Sequence, residues 1–291
     1  MRHAARRNGF ALTVALLYSV LAAHAHAAEP LRWDAGWSRF RPSEYVLTGV
    51  AGAASLALYF GVKSASEPRW TGGILFDDVV RDSVRLRQRD DLIAARFASD
   101  LTALSAITWV VGVDSLAVPS LRKHPELASQ LVLMDAEAFA ISTLVTNSMF
   151  KVVARARPSY VACQRDSHFD SLCHLNDTSS FPSGHANTTF TAAGLSCAHH
   201  LHLALYGDRL ADVLACSGSI ALAGVTSGLR VLGDRHYTSD VLAGALIGFA
   251  VGYGVPTLLH YRTTSGSSPA AQAAQPLGAS MPVGPSFSGT F

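Results

Sequence analysis

Six long runs with little or no charge set the bounds on what this chain can fold into: residues 45–62, 101–118, 131–150, 186–205, 211–229 and 241–259. A helix rises 1.5 Å per residue, so runs of this length approach the thickness of a bilayer's hydrocarbon core. Charged residues make up 15% of the chain, against roughly 25% in ordinary soluble domains, and the mean hydropathy is +0.25. The pattern predicts an all-α fold: a membrane-associated helical bundle of about six apolar helices. Ala, Gly, Ser and Thr fill the helix faces, as close helix–helix packing requires. Asp114, Asp135, Glu137, His199, His200 and His202 fall inside these runs, where lipid would not accept them. They are expected at helix ends or facing the bundle interior. A net charge of +2 without a basic stripe points away from nucleic acid.

The flanking segments divide the chain. Residues 1–28 have the parts of a signal peptide: Arg2, Arg6 and Arg7, then an apolar stretch, then Ala25-His26-Ala27. Residues 29–100 hold the first apolar helix and a charged amphipathic region. The start of this segment, with Trp33 and Trp37, is expected along a membrane interface, and residues 68–100 as a solvated helix pair. Residues 101–262 form the core, and 263–291, rich in Ser, Gly, Pro, Ala and Gln, read as a disordered tail. Of four cysteines, Cys163 and Cys173 lie in a polar stretch and are a candidate disulfide for an exported chain. Cys197 and Cys216, in apolar runs, are expected as buried free thiols. No Cys or His spacing matches a zinc site, and no cofactor is expected.

Three clusters at run ends carry the chemistry. Lys151-Val-Val-Ala-Arg155-Ala-Arg157-Pro158 closes the third run; alone, it also reads as membrane-flanking charge. Pro182-Ser183-Gly184-His185 feeds the fourth run, offering helix N-terminal amides, a hydroxyl and an imidazole to an oxyanion. Arg230, His236 and Asp240 join the fifth run to the sixth. His236 and Asp240 stand one helical turn apart, so the carboxylate is expected to accept the Nδ1–H and leave Nε2 free as a nucleophile or base. Arginines, an anion cradle and two histidines together describe metal-independent phosphoryl transfer.

These three clusters, in this order, resemble the signature of the type 2 phosphatidic acid phosphatases, a superfamily shared with the vanadium-dependent haloperoxidases. The resemblance covers residues 100–260. It implies a helical bundle that hydrolyses phosphate esters through a phosphohistidine. His236 would be the nucleophile, Asp240 its orienting group and His185 the general acid. Arg157 and Arg230 would clamp the phosphate, helped by Ser183 and the Gly184 amide. The family places a lysine seven positions before the Arg of its Arg-Pro; Phe150 stands there, and Lys151 is expected to reach back as a phosphate ligand. The family's third motif usually begins Ser-Arg, and Leu229 takes the serine's place.

The function expected is a membrane-bound lipid phosphate phosphatase of bacterial inner-membrane type, its site facing the periplasm, with a phosphorylated lipid and the membrane as partners. A soluble periplasmic acid phosphatase of the same fold and a catalytically silent membrane scaffold are the alternatives. A cleaved signal followed by three crossings would turn the site inward, and the rival reading of residues 1–28 as an uncleaved membrane anchor gives the same answer. An outward site therefore requires one run, with 101–118 the choice, not to span, or else a bundle that only dips into the membrane.

Overall fold

The computed structural model describes residues 31–170, 172–173 and 178–262; the expected signal peptide (1–28) and tail (263–291) lie outside them. Among the described residues eight helices follow one another: α1 (Pro42–Leu56), α2 (Asp77–Val84), α3 (Arg89–Leu121), α4 (Pro125–Val153), α5 (Tyr160–Arg165), α6 (Gly184–His202), α7 (Arg209–Leu232) and α8 (Thr238–Leu259). Six are long and correspond to the six apolar runs. A π-wound turn, Ala57–Gly61, extends α1, and a π-wound stretch, Thr108–Ala117, interrupts α3 and turns both Asp114 and Ser115 inward.

The long helices run up and down between two ends. At one end the Phe40 amide donates to Gln130 Oε1 near the start of α4. At the other, Lys151 Nζ donates to the Val62 carbonyl just past α1. Thus α1 and α4 run side by side in the same direction, while α3, α6 and α8 run opposite to them. Helix α6 is the most enclosed, with Ala193, Leu195 and Ala198 fully buried. Helix α8 lies directly on it. A Cβ on Gly248 would fall 2.1 Å from the Asn187 carbonyl oxygen, and one on Gly252 2.2 Å from that of Thr191. Only glycine permits this backbone approach, and the four-residue spacing keeps both positions on one face.

Among the described residues four helices (α3, α4, α7 and α8) are long and apolar enough to cross a membrane. Run 101–118, chosen as the one not to span, lies within α3 and is among the four. Run 45–62 is not, yet α1 covers the same height as α4 and exposes Val46, Leu47, Val50 and Phe60. Residues 31–40 pack onto the bundle. Leu31 and Phe40 are buried with Leu131, Met134 and Leu205, and Trp37 packs edge-on against Tyr261 at 4.8 Å.

The polar residues inside the runs face inward and are paired, as burial of a polar group demands. His199 lies 2.9 Å from Asp135 and 2.7 Å from the Tyr261 hydroxyl. His200 lies 2.6 Å from Asp212, and Tyr206 donates to Asp114 at 2.6 Å. His202, half-buried, bonds the Ala198 carbonyl at 2.8 Å. This group sits at the C-terminal end of α6, far from the clusters that carry the chemistry. One expectation is corrected here. Cys197 and Cys216 are not free thiols but form a disulfide, S–S 2.04 Å, between α6 and α7. Positions 19 apart in sequence meet because the two helices are antiparallel neighbours, their Cα atoms 4.3 Å apart. Cys163 and Cys173 are joined as well, S–S 2.03 Å.

Candidate active site

The loop before α6 and the loop between α7 and α8 are stitched together by backbone. The Ser183 amide donates to the Asp240 carbonyl at 2.8 Å, and Ser183, the N-cap of α6, accepts from the Ala186 amide through its hydroxyl at 3.4 Å. Ser183 is fully buried. Together these bonds hold the N-terminus of α6 beside His236, where its unpaired amides and dipole favour an anion.

The imidazole of His236 is held at both nitrogens. Nδ1 lies 2.8 Å from the Ser180 carbonyl, which accepts only, so Nδ1 carries the proton. Nε2 therefore presents its lone pair, and it lies 2.9 Å from Arg157 Nη1, a donor. Arg157 Nη1 also donates to the Arg235 carbonyl at 2.7 Å. Burial first, then the charges of Arg157 and Arg230, hold the His236 pKa well below its ordinary value. The ring is neutral at pH 7 and its lone pair is available.

Asp240 does not touch His236 as the one-turn spacing predicts. Its nearer oxygen is 3.8 Å from Nδ1, beyond hydrogen-bond reach. Instead Oδ2 accepts from the Ser180 hydroxyl at 2.7 Å and the Tyr237 amide at 2.8 Å, and Oδ1 accepts from Arg155 at 2.5 Å. The carboxylate thus acts on His236 through Ser180, whose carbonyl it holds in place. Spacing correctly places Asp240 on the facing turn, but at the N-terminus of α8 it caps the Tyr237 amide, and that bond sets its direction.

Arg155 is the hub of this support. It is fully buried, because α4 ends at Val153 and Ala154 takes a left-handed conformation (φ 45°), turning the chain inward. Its guanidinium is sandwiched between Trp70 at 3.9 Å and Tyr237 at 4.1 Å. It donates to Asp77 at 2.9 Å, to Ser239 at 2.8 Å and to the Gly72 carbonyl at 2.8 Å. Asp77 in turn accepts from the Ser239 amide and hydroxyl at 2.8 and 2.6 Å.

On the other side of the cleft, His185 Nε2 lies 2.7 Å from Asp100 Oδ1. Arg230 Nη1 donates to the same oxygen at 3.3 Å and to the Ser99 hydroxyl at 2.9 Å. Burial, then the charge of Arg230, lowers the His185 pKa to about 4 against the opposing pull of Asp100, and Arg157 adds to the lowering. A bound phosphate would neutralise those cations and raise that pKa, so protonation of His185 and arrival of an anion favour one another.

His185, His236, Asp240, Arg157, Arg230, Ser183 and Gly184 therefore share one end of the bundle. Lys151 does not join them. Its ammonium sits on the Val62 carbonyl at 2.6 Å and the Ser64 hydroxyl at 3.2 Å, because α4 unwinds only after Val153 and Lys151 keeps its helical direction. Lys151→Ala is accordingly expected to cost no more than about 1 kcal/mol, as for an exposed cation, which is at most about fivefold in kcat/KM. Steady-state kinetics on the variant check this, and a loss beyond tenfold would mean that the side chain swings to the site.

The sequence reading missed Asp77, Ser180 and Asp100, and it assigned the charged stretch 68–100 to solvent. That stretch supplies Asp77 and Asp100 to the site, and Arg96, which donates to the Gly233 carbonyl at 2.8 Å and pairs with Asp170. Arg81 pairs with Asp234 at 2.6 Å. Nothing in the local pattern separates these from the exposed Asp82, Arg87 and Asp90 beside them, since their partners lie 74 to 162 residues away.

A helical bundle with two histidines and two arginines around a helix N-terminus defines the class. Residues 133–264 match the family model of the PAP2 superfamily. No curated protein and no solved structure matches the chain. The match supports a phosphoric ester hydrolase in general.

Proposed function

We propose that this protein is a membrane-bound phosphatase that hydrolyses lipid phosphate monoesters or diphosphates through a phosphohistidine. The observation that carries the chemistry is the fixed tautomer of His236. With Nδ1–H on the Ser180 carbonyl, the Nε2 lone pair attacks phosphorus while Arg157 and Arg230 take the charge of the phosphoryl oxygens. The N–P bond forms as the P–O bond to the leaving group breaks, and His185 gives its proton to the departing oxygen. Water then attacks the phosphohistidine, losing its proton to His185, and inorganic phosphate leaves. Asp240 and Arg155 are positioning residues.

Support for a lipid over a soluble ester comes from a cavity of about 420 Å³ that starts at His185 and Asp100. It continues between α3, α4 and α6 past Ala103, Leu104, Ile107 and Phe150. Its walls are mainly apolar and belong partly to helices apolar enough to cross a bilayer. A headgroup at His185 leaves this channel for a chain. A purified-protein assay of phosphate release tests the proposal. Long-chain lipid phosphates are expected to turn over with a higher kcat/KM than a water-soluble monoester, and EDTA is expected to leave the rate unchanged. Equal rates on both substrates would favour the acid phosphatase, and loss in EDTA restored by a divalent metal would overturn the metal-independent mechanism.

The site end faces outward in this proposal, supported by the Cys163–Cys173 bridge, which lines the same small cleft as Arg157 and Arg235 and suits an oxidising compartment. With α1, α3 and α4 alternating in direction, an outward site puts residue 31 and the end of α8 together on the cytoplasmic face. A green fluorescent protein fused after residue 291 is then expected to fluoresce. A leader cleaved after residue 28, or retained as a membrane anchor, would deliver residue 31 to the outer face and turn the site inward, and a dark fusion would establish that arrangement.

A further inference from the structure

The connection between α1 and α2 presents an apolar tip that the bundle does not cover. Leu75 is 89% exposed and Val79 is 70% exposed, with Ile74 and Phe76 also open. In a water-soluble surface loop such a contiguous patch is uncommon. The tip is also rigidly built. Asp77 accepts from the Ile74 amide at 2.9 Å and returns its own amide to the Ile74 carbonyl at 2.9 Å. The Gly72 carbonyl is held by Arg155, and Leu75 takes a left-handed φ of 53°, which costs a leucine free energy and persists only when its surroundings impose it. The fold thus drives these side chains outward.

Helix α2 has a second apolar face that shows where the tip lies. Val80 packs inward against Ala186, Val231 and Val241, seating α2 across the end of α7 and the first turn of α8. Helix α8 has 22 residues, about 33 Å, so its first turn marks one boundary of the hydrocarbon layer. Below that turn, Leu242 is exposed and Leu246 is 73% exposed, as lipid-facing positions are. The patch at residues 74–79 sits at the depth of that first turn, because Asp77 accepts from the Ser239 amide at 2.8 Å, and it includes the exposed carboxylate of Asp78.

We propose that residues 74–79 form a wedge that inserts into the bilayer interface, with Leu75 at its tip, and seats the mouth of the active site at the level of lipid phosphates. The occupant of the patch is the headgroup–acyl boundary, and the buried Asp77–Arg155 pair makes the wedge and the site one rigid unit. The inference rests on the reading of α7 and α8 as membrane-crossing.

All four cysteines are paired, so single spin labels can be introduced in the full chain at Leu75→Cys, Leu246→Cys and Gln88→Cys. In phosphatidylcholine–phosphatidylglycerol vesicles, collision rates with oxygen and with a water-soluble nickel chelate are read for each label. The Leu75 label is expected to favour oxygen as the Leu246 label does, and the Gln88 label to favour nickel. Nickel preference at Leu75 with oxygen preference at Leu246 overturns the wedge and leaves the membrane reading standing. Nickel preference at both overturns the two together. Spin–spin broadening at Leu75 would assign the patch to a second copy of the chain instead. Independently, Leu75→Asp is expected to raise KM for a vesicle-borne lipid phosphate about tenfold and to leave kcat/KM for a short soluble monoester unchanged. Equal effects on both substrates would mean damage to the site, not loss of a wedge.

Discussion

His236→Ala is expected to abolish phosphate release, lowering kcat by at least about 10⁴-fold, as for removal of other enzymic nucleophiles, while the protein still folds. The imidazole is buried, and its two bonds go to the Ser180 carbonyl and to Arg157. Arg157 keeps the Arg235 carbonyl as a partner in the variant. Unchanged thermal unfolding together with lost turnover, measured on one preparation, separates chemistry from folding. Trapping of ³²P on the wild-type chain after an acid-free quench, and its absence from the variant, would identify the phosphohistidine. Turnover by His236→Ala at near the wild-type rate would remove His236 from the mechanism.

Arg155→Met is expected to cost about 3–5 kcal/mol of stability, the range for breaking a buried ion pair from one side. Methionine fills part of the space between Trp70 and Tyr237. It leaves Asp77 and Asp240, both fully buried, without the cation that faces them. Activity should fall too, because Asp240 holds Ser180 and Ser180 holds the Nδ1–H of His236. Thermal denaturation in detergent gives the stability. A double variant, Arg155→Met with Asp77→Asn, should recover part of it by removing one stranded charge. An Arg155→Met protein as stable as the wild type would mean that water already reaches this pair.

The outline of the site was legible in the chain because its pieces are local. Pro182 to His185 is a loop-to-helix junction in four residues, and Arg230, His236 and Asp240 flank a single inter-helix loop. The six apolar runs likewise announce six helices, since hydropathy over 18 or more residues is a local quantity. That the polar residues within them turn inward follows from the cost of exposing them to lipid.

Direction and partnership were not local, and only the tertiary structure decided them. The spacing of His236 and Asp240 is right for contact, but a carboxylate bonds whichever donors surround it, and Asp240 is surrounded by Ser180, the Tyr237 amide and Arg155. Lys151 and Arg155 stand four residues apart in one basic run, yet the left-handed turn at Ala154 sends one to the Val62 carbonyl and the other into the core. Asp77 and Asp100 look like their solvated neighbours until α2 and α3 pack against the loops of α6 and α8. Cys197 and Cys216 became a disulfide only through the closeness of α6 and α7. The sequence by itself determined the helices and the chemical groups at their ends. Which of those groups meet depended on helix packing, where contacts far apart in the chain are chosen by geometry that no short stretch encodes.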